Sequence, residues 1–223
     1  MIKTILFDID NTLIDFHECA RLAIMQSFEQ CKLPFDNHVL HVFEKTNDLL
    51  WHKYDLGELT REKLFEIRWQ TIFDELKIDY PGTKFEQIFL KNLGKQSTKI
   101  DGADEILAYL KPKYTLCAAS NAPYDLQMSR LNLSGLIKYF DYIFISEKIG
   151  YQKPTKQFFD FCFDTIGNPQ KQQVIIIGDS PIADMSGGKN YGIKTCWFNK
   201  SGTDKKVDAD FCITKLQQLK DIL

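Results

Sequence analysis

The sequence contains no Cys-x-x-Cys pair, although it carries six cysteines. Zinc-ribbon and thioredoxin-type redox sites are excluded on that ground. Cys19, Cys31, Cys117, Cys162, Cys196 and Cys212 are scattered, and nothing accompanying them points to secretion. They are expected as free thiols, several of them buried as small apolar residues. Long apolar runs are also missing. The N-terminal one, Ile5-Leu6-Phe7, is cut by Asp8, far too early for a signal peptide or a membrane-spanning helix. The cytoplasm is the expected location. Charge of one sign is lacking too: 28 basic and 30 acidic residues leave a net charge of -2. A chain so near neutrality has no global attraction to nucleic acid polymers or anionic membranes. Repeats and low-complexity tracts are absent. With 44% apolar and 26% charged residues, disorder, collagen and coiled coil are excluded as the main architecture. What remains is a globular chain of 223 residues, larger than one minimal domain and able to bury a sizeable core.

The first segment, Ile2 to Ile9, is apolar without clean alternation and predicts a strand buried on both faces, as in a parallel sheet. Helical patterns then run over Phe16–Cys31, Asp36–Tyr54, Thr60–Leu76 and Lys84–Leu93, broken at Pro34, at Asp55–Leu59 and at Pro81-Gly82. From Ile100 the rhythm changes. Strands are expected at Tyr114–Ala119, Tyr142–Ser146, Val174–Ile177 and Lys194–Trp197, with a short one at Phe211–Ile213. Helices are expected at Ala103–Leu110, Pro123–Leu131, Thr155–Ile166, Pro181–Tyr191 and Lys215–Leu223, with Pro123 opening its helix in the first turn. This alternation predicts an α/β fold: a Rossmann-like, doubly wound parallel sheet. The helical block reads as an insertion, giving a catalytic core at 1–14 and 98–223 and a helical cap domain at 15–97. Such a lid is expected over the carboxyl ends of the strands, where open α/β sheets bind ligands.

Four segments carry residues suited to chemistry. The first, Asp8-Ile9-Asp10-Asn11-Thr12, sets two carboxylates close together behind a buried strand. Paired carboxylates repel unless a proton or cation lies between them, and a hard divalent ion suits such a site. The same residues also suit a helix-capping turn. Ser120-Asn121 follows the next strand and offers a hydroxyl and an amide to a phosphate, or forms an ordinary strand-to-helix turn. Lys153 precedes Pro154 at the head of a helix, where the dipole disfavours a cation. It hints at a bound anion, or is a solvated surface lysine. The fourth, Gly178-Asp179-Ser180-x-x-x-Asp184, adds an acid at the end of the most strand-like run and a second one further on. Asp179 suits a metal ligand or an N-cap. In a parallel sheet all four segments converge on one edge, and four chance caps would not assemble an acid pair, a hydroxyl-amide, a lysine and a second acid pair together.

In that order the motifs resemble those of the haloacid dehalogenase (HAD) superfamily of phosphohydrolases. The resemblance covers the whole chain, and the helical insert is similar to the family's first-type cap. It implies that Asp8 is the nucleophile of an aspartyl-phosphate mechanism and that Asp10 is the general acid and base. It implies that Ser120, Asn121 and Lys153 bind the phosphoryl group. It further implies Mg²⁺ held by Asp8, the backbone carbonyl of Asp10 and Asp179, with Asp184 in support and Thr12 as a positioning residue. An acid at position 10 is similar to the phosphatases and unlike the dehalogenase branch. Trp51-His52-x-Tyr54-x-x-Gly57-x-Leu59-Thr60, Ile145-Ser146-Glu147, Gly167-Asn168-Pro169 and the stretch from Gly187-Gly188 to Thr195-Cys196-Trp197-Phe198-Asn199 resemble the YjjG-type pyrimidine nucleotide 5′-nucleotidases. Gly187-Gly188 and Cys196-Trp197 also read as helix–sheet packing. The implied substrate is a small phosphorylated metabolite, a nucleoside monophosphate, with sugar phosphates and N-acylneuraminate 9-phosphate as alternatives. A non-catalytic phosphate-binding protein or phospho-switch is the alternative of a different class. His17, Trp51 and Tyr54 are the candidate substrate contacts in the cap. His38, His41 and His52 read as surface or core residues. A monomer or a homodimer is expected.

Overall fold

The two most apolar strands set the centre of the molecule. In the computed structural model, which describes residues 1–223, β1 (Thr4–Phe7) and β4 (Val174–Gly178) are buried along their whole length. They lie side by side in parallel, with Thr4 opposite Val174 and Phe7 opposite Ile177. Each fully buried aliphatic or aromatic side chain in them contributes roughly 1.5–3 kcal/mol relative to exposure. The remaining strands are β2 (Thr115–Ser120), β3 (Tyr142–Ile145), β5 (Lys194–Phe198) and β6 (Phe211–Ile213). The sheet order is β3-β2-β1-β4-β5-β6, and every pairing is parallel. The chain steps outward from β1 to β3 on one side, then returns and steps outward from β4 to β6 on the other. The reversal falls between β1 and β4, and the crevice at such a switch point is where open parallel sheets bind ligands.

The four early helices are α1 (Phe16–Cys31), α2 (Asn37–Asp55), α3 (Arg61–Leu76) and α4 (Gly82–Leu93). The chain divides into two compact units, one of residues 1–16 and 97–223, the other of His17–Gln96. The helical unit starts its second and third helices with side-chain caps. Asp36 accepts from the backbone N–H groups of His38 and Val39, and Thr60 accepts from that of Lys63. Its core is aromatic, with Trp69 packed against Phe28, Phe43, Phe73, Phe85 and Phe89 at ring separations of 4.4–6.1 Å. One ion pair is sealed inside: Arg68 bonds Glu86 through two nitrogens and Asn47 through a third. The helix expected from Lys84 starts at Gly82, whose N–H is held by the Gln70 side chain. A Cβ at Gly82 would lie 2.3 Å from the Gln70 backbone nitrogen.

The sheet unit adds α5 (Ala103–Leu110), α6 (Tyr124–Leu133), α7 (Ser146–Ile149), α8 (Lys156–Thr165), α9 (Gly187–Tyr191) and α10 (Leu219–Ile222). Three local expectations need correction. Pro123 stands one residue ahead of α6 rather than in its first turn. The helix expected over Pro181–Tyr191 is a π-helical turn at Pro181–Ser186 followed by α9. The closing helix over Lys215–Leu223 divides into a 3₁₀ turn, Leu216–Gln218, and α10. Gly188 packs α9 on the sheet, since a Cβ there would meet Ile176 at 2.6 Å and Thr195 at 2.8 Å. All six cysteines are free thiols, and no helix is long and apolar enough to cross a membrane.

Candidate active site

Asp8 follows β1 directly, and its N–H bonds the Ile177 carbonyl of β4 at 2.8 Å. Backbone pairing therefore fixes where its side chain leaves the sheet. Ser120 ends β2, the neighbour on the other side, and Asp179 follows β4. Three adjacent strands thus deliver Asp8, Ser120 and Asp179 to one place.

Lys153 reaches the same place from the loop before α8. Taken alone it could be a surface lysine; in the fold it is 1% exposed. Its ammonium donates to Asp8 Oδ1, Asp184 Oδ1 and the Ala119 carbonyl, each at 2.7 Å. An ammonium has three protons, so all three are engaged. Asn121 holds the loop that carries it: its Oδ1 accepts from the Lys153 N–H at 3.0 Å and its Nδ2 donates to the Lys153 carbonyl at 2.9 Å. Sequence reasoning gave Asn121 to the phosphate and missed this bracing role.

The second acid pair is shaped by the π-helical turn. Ser180, not Asp179, caps it, through a bond from the Ala183 N–H at 3.0 Å. That answers the N-cap alternative for Asp179. Asp184 is fully buried and accepts from the Ser180 N–H at 3.1 Å. Gly178 makes room for it: a Cβ there would lie 2.2 Å from Asp184 Oδ2. π-turns of this kind recur at functional sites. Trp197 on β5 donates its indole N–H to the Asp179 carbonyl at 3.0 Å, which gives the Cys196-Trp197 stretch a further task besides packing.

One oxygen from each of Asp8, Asp179 and Asp184 lies within 4.8 Å of the others. Burial pushes the Asp8 carboxyl up to about 7, against the pull of Lys153 and with the added push of Asp184. Burial, then the charges of Asp8 and Asp184, raises Asp179 well above the ordinary carboxylate range. Burial opposes the Lys153 charge, but Asp184 and Asp8 outweigh it and hold the lysine firmly protonated. Three acids against one lysine leave the cluster short of positive charge. Its donors are all carboxylate oxygens, the set a hard divalent ion takes.

Asp10 faces a different group. Its Oδ1 accepts from Arg130 Nη1, and its Oδ2 accepts from Gln127 Nε2 at 2.9 Å. Gln127 Nε2 also donates to Ser120 Oγ at 3.1 Å. Neither α6 residue was singled out from the sequence. The available signal was two polar residues three apart, hence on one face, in a helix following a buried strand. Ser120 Oγ accepts a second bond, from the Ala122 N–H at 3.1 Å. With both acceptor sites filled, the hydroxyl proton is turned outward as a donor. Thr12 donates to Asp8 Oδ2 at 3.3 Å.

The candidate contacts of the insert belong to the helical unit. His17 is exposed and its charge lies near Asp48. Tyr54 is buried with Leu50 and Leu64, while Trp51 is half-buried against it, ring centroids 5.3 Å apart. His38, His41 and His52 are exposed.

The family of haloacid dehalogenase-like hydrolases matches this chain over residues 5–198. The protein belongs to that family and is an enzyme, a hydrolase. It is 32% identical to the HAD-hydrolase YfnB of Bacillus subtilis (strain 168), over 99% of this chain and 95% of that protein. A crystal structure of YfnB, bound to magnesium, superposes with a TM-score of 0.95 over 100% of this chain and 98% of the other. The chain is also 30% identical to the pyrimidine 5′-nucleotidase PynA of Streptococcus pneumoniae (strain ATCC BAA-255 / R6), covering 99% of this chain and 94% of that protein. Its identity to the pyrimidine 5′-nucleotidase YjjG of Escherichia coli (strain K12) is 29%, covering 98% and 96%.

Proposed function

We propose that this protein is a Mg²⁺-dependent phosphomonoesterase that works through an aspartyl-phosphate and removes the 5′-phosphate of pyrimidine nucleoside monophosphates. The observation that carries the reading is the Asp8–Lys153–Asp184 cluster, in which a buried lysine holds a buried carboxylate at the switch point of the sheet. Such a carboxylate is a nucleophile that needs no activating base. Lys153 and Thr12 each bond one of its oxygens and fix its direction of attack.

The order of events follows from the side chains. Asp8 attacks phosphorus as the ester P–O bond breaks, and Asp10 gives its proton to the leaving oxygen. Asp10 then takes a proton from the water that attacks phosphorus, and the Asp8–phosphorus bond breaks to release phosphate. Ser120 donates its hydroxyl proton to a phosphoryl oxygen. Lys153 lends positive charge next to the reacting group, while its N–H bonds keep Asp8 in place. Asn121 acts through the loop it braces. The donor set fits Mg²⁺, with Asp8, Asp179 and the backbone carbonyl of Asp10 as ligands and Asp184 in support. Bound there, the ion would offset the charge on Asp8 and on the transferring phosphoryl group. Residues 15–97 serve as the cap domain that selects the substrate, with His17, Trp51 and Tyr54 as the residues to test.

The test is a phosphate-release screen with Mg²⁺ against nucleoside monophosphates, sugar phosphates and N-acylneuraminate 9-phosphate. Preference for UMP, dUMP or dTMP, abolished by EDTA, is the expected result. Preference for a sugar phosphate refutes the nucleotidase assignment and leaves the catalytic core standing. No release from any ester would mark a binding or phospho-switch protein instead.

A further inference from the structure

We infer that Gln127 and Arg130 are positioning residues that set the Asp10 carboxylate for proton transfer and tie it to Ser120. The inference rests on the assignment of Asp10 as general acid and base.

Both residues are fully buried, at 0% exposure, whereas the Asp10 side chain keeps 26% of its surface open. Burying a guanidinium is costly unless it is paired, and a helix that merely packs on a sheet takes leucine at such a position. Arg130 is instead aimed at Asp10 Oδ1, and Gln127 at Oδ2. One bond to each oxygen fixes the plane of the carboxylate as well as its position. The two residues also hold each other, since Arg130 Nη1 donates to Gln127 Oε1 at 3.2 Å. The Arg130 guanidinium rests 6.0 Å from the centre of the Phe16 ring, which confines it from another side.

The Gln127 amide adds the link to the phosphoryl site. The same Nε2 that bonds Asp10 also bonds Ser120 Oγ. The proton-transfer group and the hydroxyl assigned to the phosphoryl group are therefore registered to one amide nitrogen. Each Asp10 oxygen receives its bond from α6 and keeps a further lone pair, free to carry the proton given to the leaving oxygen and then to accept the proton of the attacking water. Misplacing such a group by about 1 Å can cost on the order of 10²-fold in rate.

The test uses the full chain with Mg²⁺ and compares phenyl phosphate with p-nitrophenyl phosphate. The two esters have similar size, but phenolate is the far poorer leaving group and depends on the proton from Asp10. The parameter read is kcat/KM, which reports the chemistry up to departure of the phenol. Gln127→Leu and Arg130→Lys should lose on the order of 10- to 100-fold on phenyl phosphate and about threefold or less on p-nitrophenyl phosphate. Asp10→Asn should show the same discrimination, more strongly. Combined with Asp10→Asn, Arg130→Lys should add little further loss, because it acts through the group already removed. If Asp10→Asn discriminates but both α6 variants lose equally on the two esters, the pair is structural and the inference is overturned. If Asp10→Asn itself loses equally on both, the assignment of Asp10 is what fails. Should Arg130→Lys not fold, as judged by circular dichroism, Gln127→Leu decides alone, because it leaves the Arg130–Asp10 ion pair in place.

Discussion

Lys153→Met removes the only cation bonded to two buried carboxylates and keeps an apolar stem of similar length. In the parent, the ammonium makes three bonds of 2.7 Å, to Asp8, Asp184 and the Ala119 carbonyl. Removing one partner of a buried ion pair costs about 3–5 kcal/mol, because the remaining charge is left in the interior. Here two carboxylates lose their partner, and Asp184 has no exposed surface at all. The upper part of that range is expected at pH 8 in EDTA. With a urea m-value of about 3 kcal/mol/M, the midpoint of unfolding should fall by ~1.3–1.7 M. The loss should shrink at pH 5.5, since an unpaired buried carboxyl can take up a proton and become neutral. Lys153→Met/Asp184→Asn should recover roughly half of the lost stability by removing one stranded charge, while remaining inactive. Urea titrations followed by far-UV circular dichroism, at both pH values, measure all of this. A midpoint for Lys153→Met within a few tenths of a molar unit of the parent at pH 8 would refute the reasoning, because the carboxylates would then not depend on the lysine.

Two further outcomes follow from the same cluster. Asp8→Asn should lower kcat on the preferred nucleotide by on the order of 10⁴-fold with the fold retained; steady-state phosphate release above a few percent of the parent rate sinks its role as nucleophile. The metal-free protein should respond to pH through Asp8, whose folded value of about 7 lies above the ordinary 3.8. Between those values the folded state binds more protons than the unfolded one, so this group's contribution to stability declines as pH rises from about 4 to about 7. Mg²⁺ favours the ionised site and should raise the melting temperature more at pH 8 than at pH 5.5; an equal rise at both pH values, seen by scanning calorimetry, contradicts the metal assignment.

The sheet was largely legible because its signals are local. The β4 run Val174-Ile175-Ile176-Ile177 is apolar at every position, and only a strand covered on both faces asks for that. The alternation of strands with helices then left few topologies, and the ends of β1, β2 and β4 became neighbours by the rules of parallel connection. Asp8 and Asp179 could be placed at the sheet edge because they directly follow β1 and β4, and Ser120 because it ends β2.

What the tertiary structure alone decided is the partner of each polar side chain. Taken alone, Lys153 could be read either as an anion site or as a surface lysine, because its bond to Asp8 spans 145 residues of sequence. Arg130 and Gln127 passed unnoticed for the same reason, at separations of 120 and 117 residues from Asp10. Asn121 turned out to brace the Lys153 loop, and Ser180 took the cap that Asp179 could have made. A local sequence determines periodicity, capping capacity and where a strand ends, since these depend on neighbours a few residues away. Which charge is buried, and against which other charge, depends on the folded arrangement of distant segments: burial strips water from a group, and only the fold determines what replaces it.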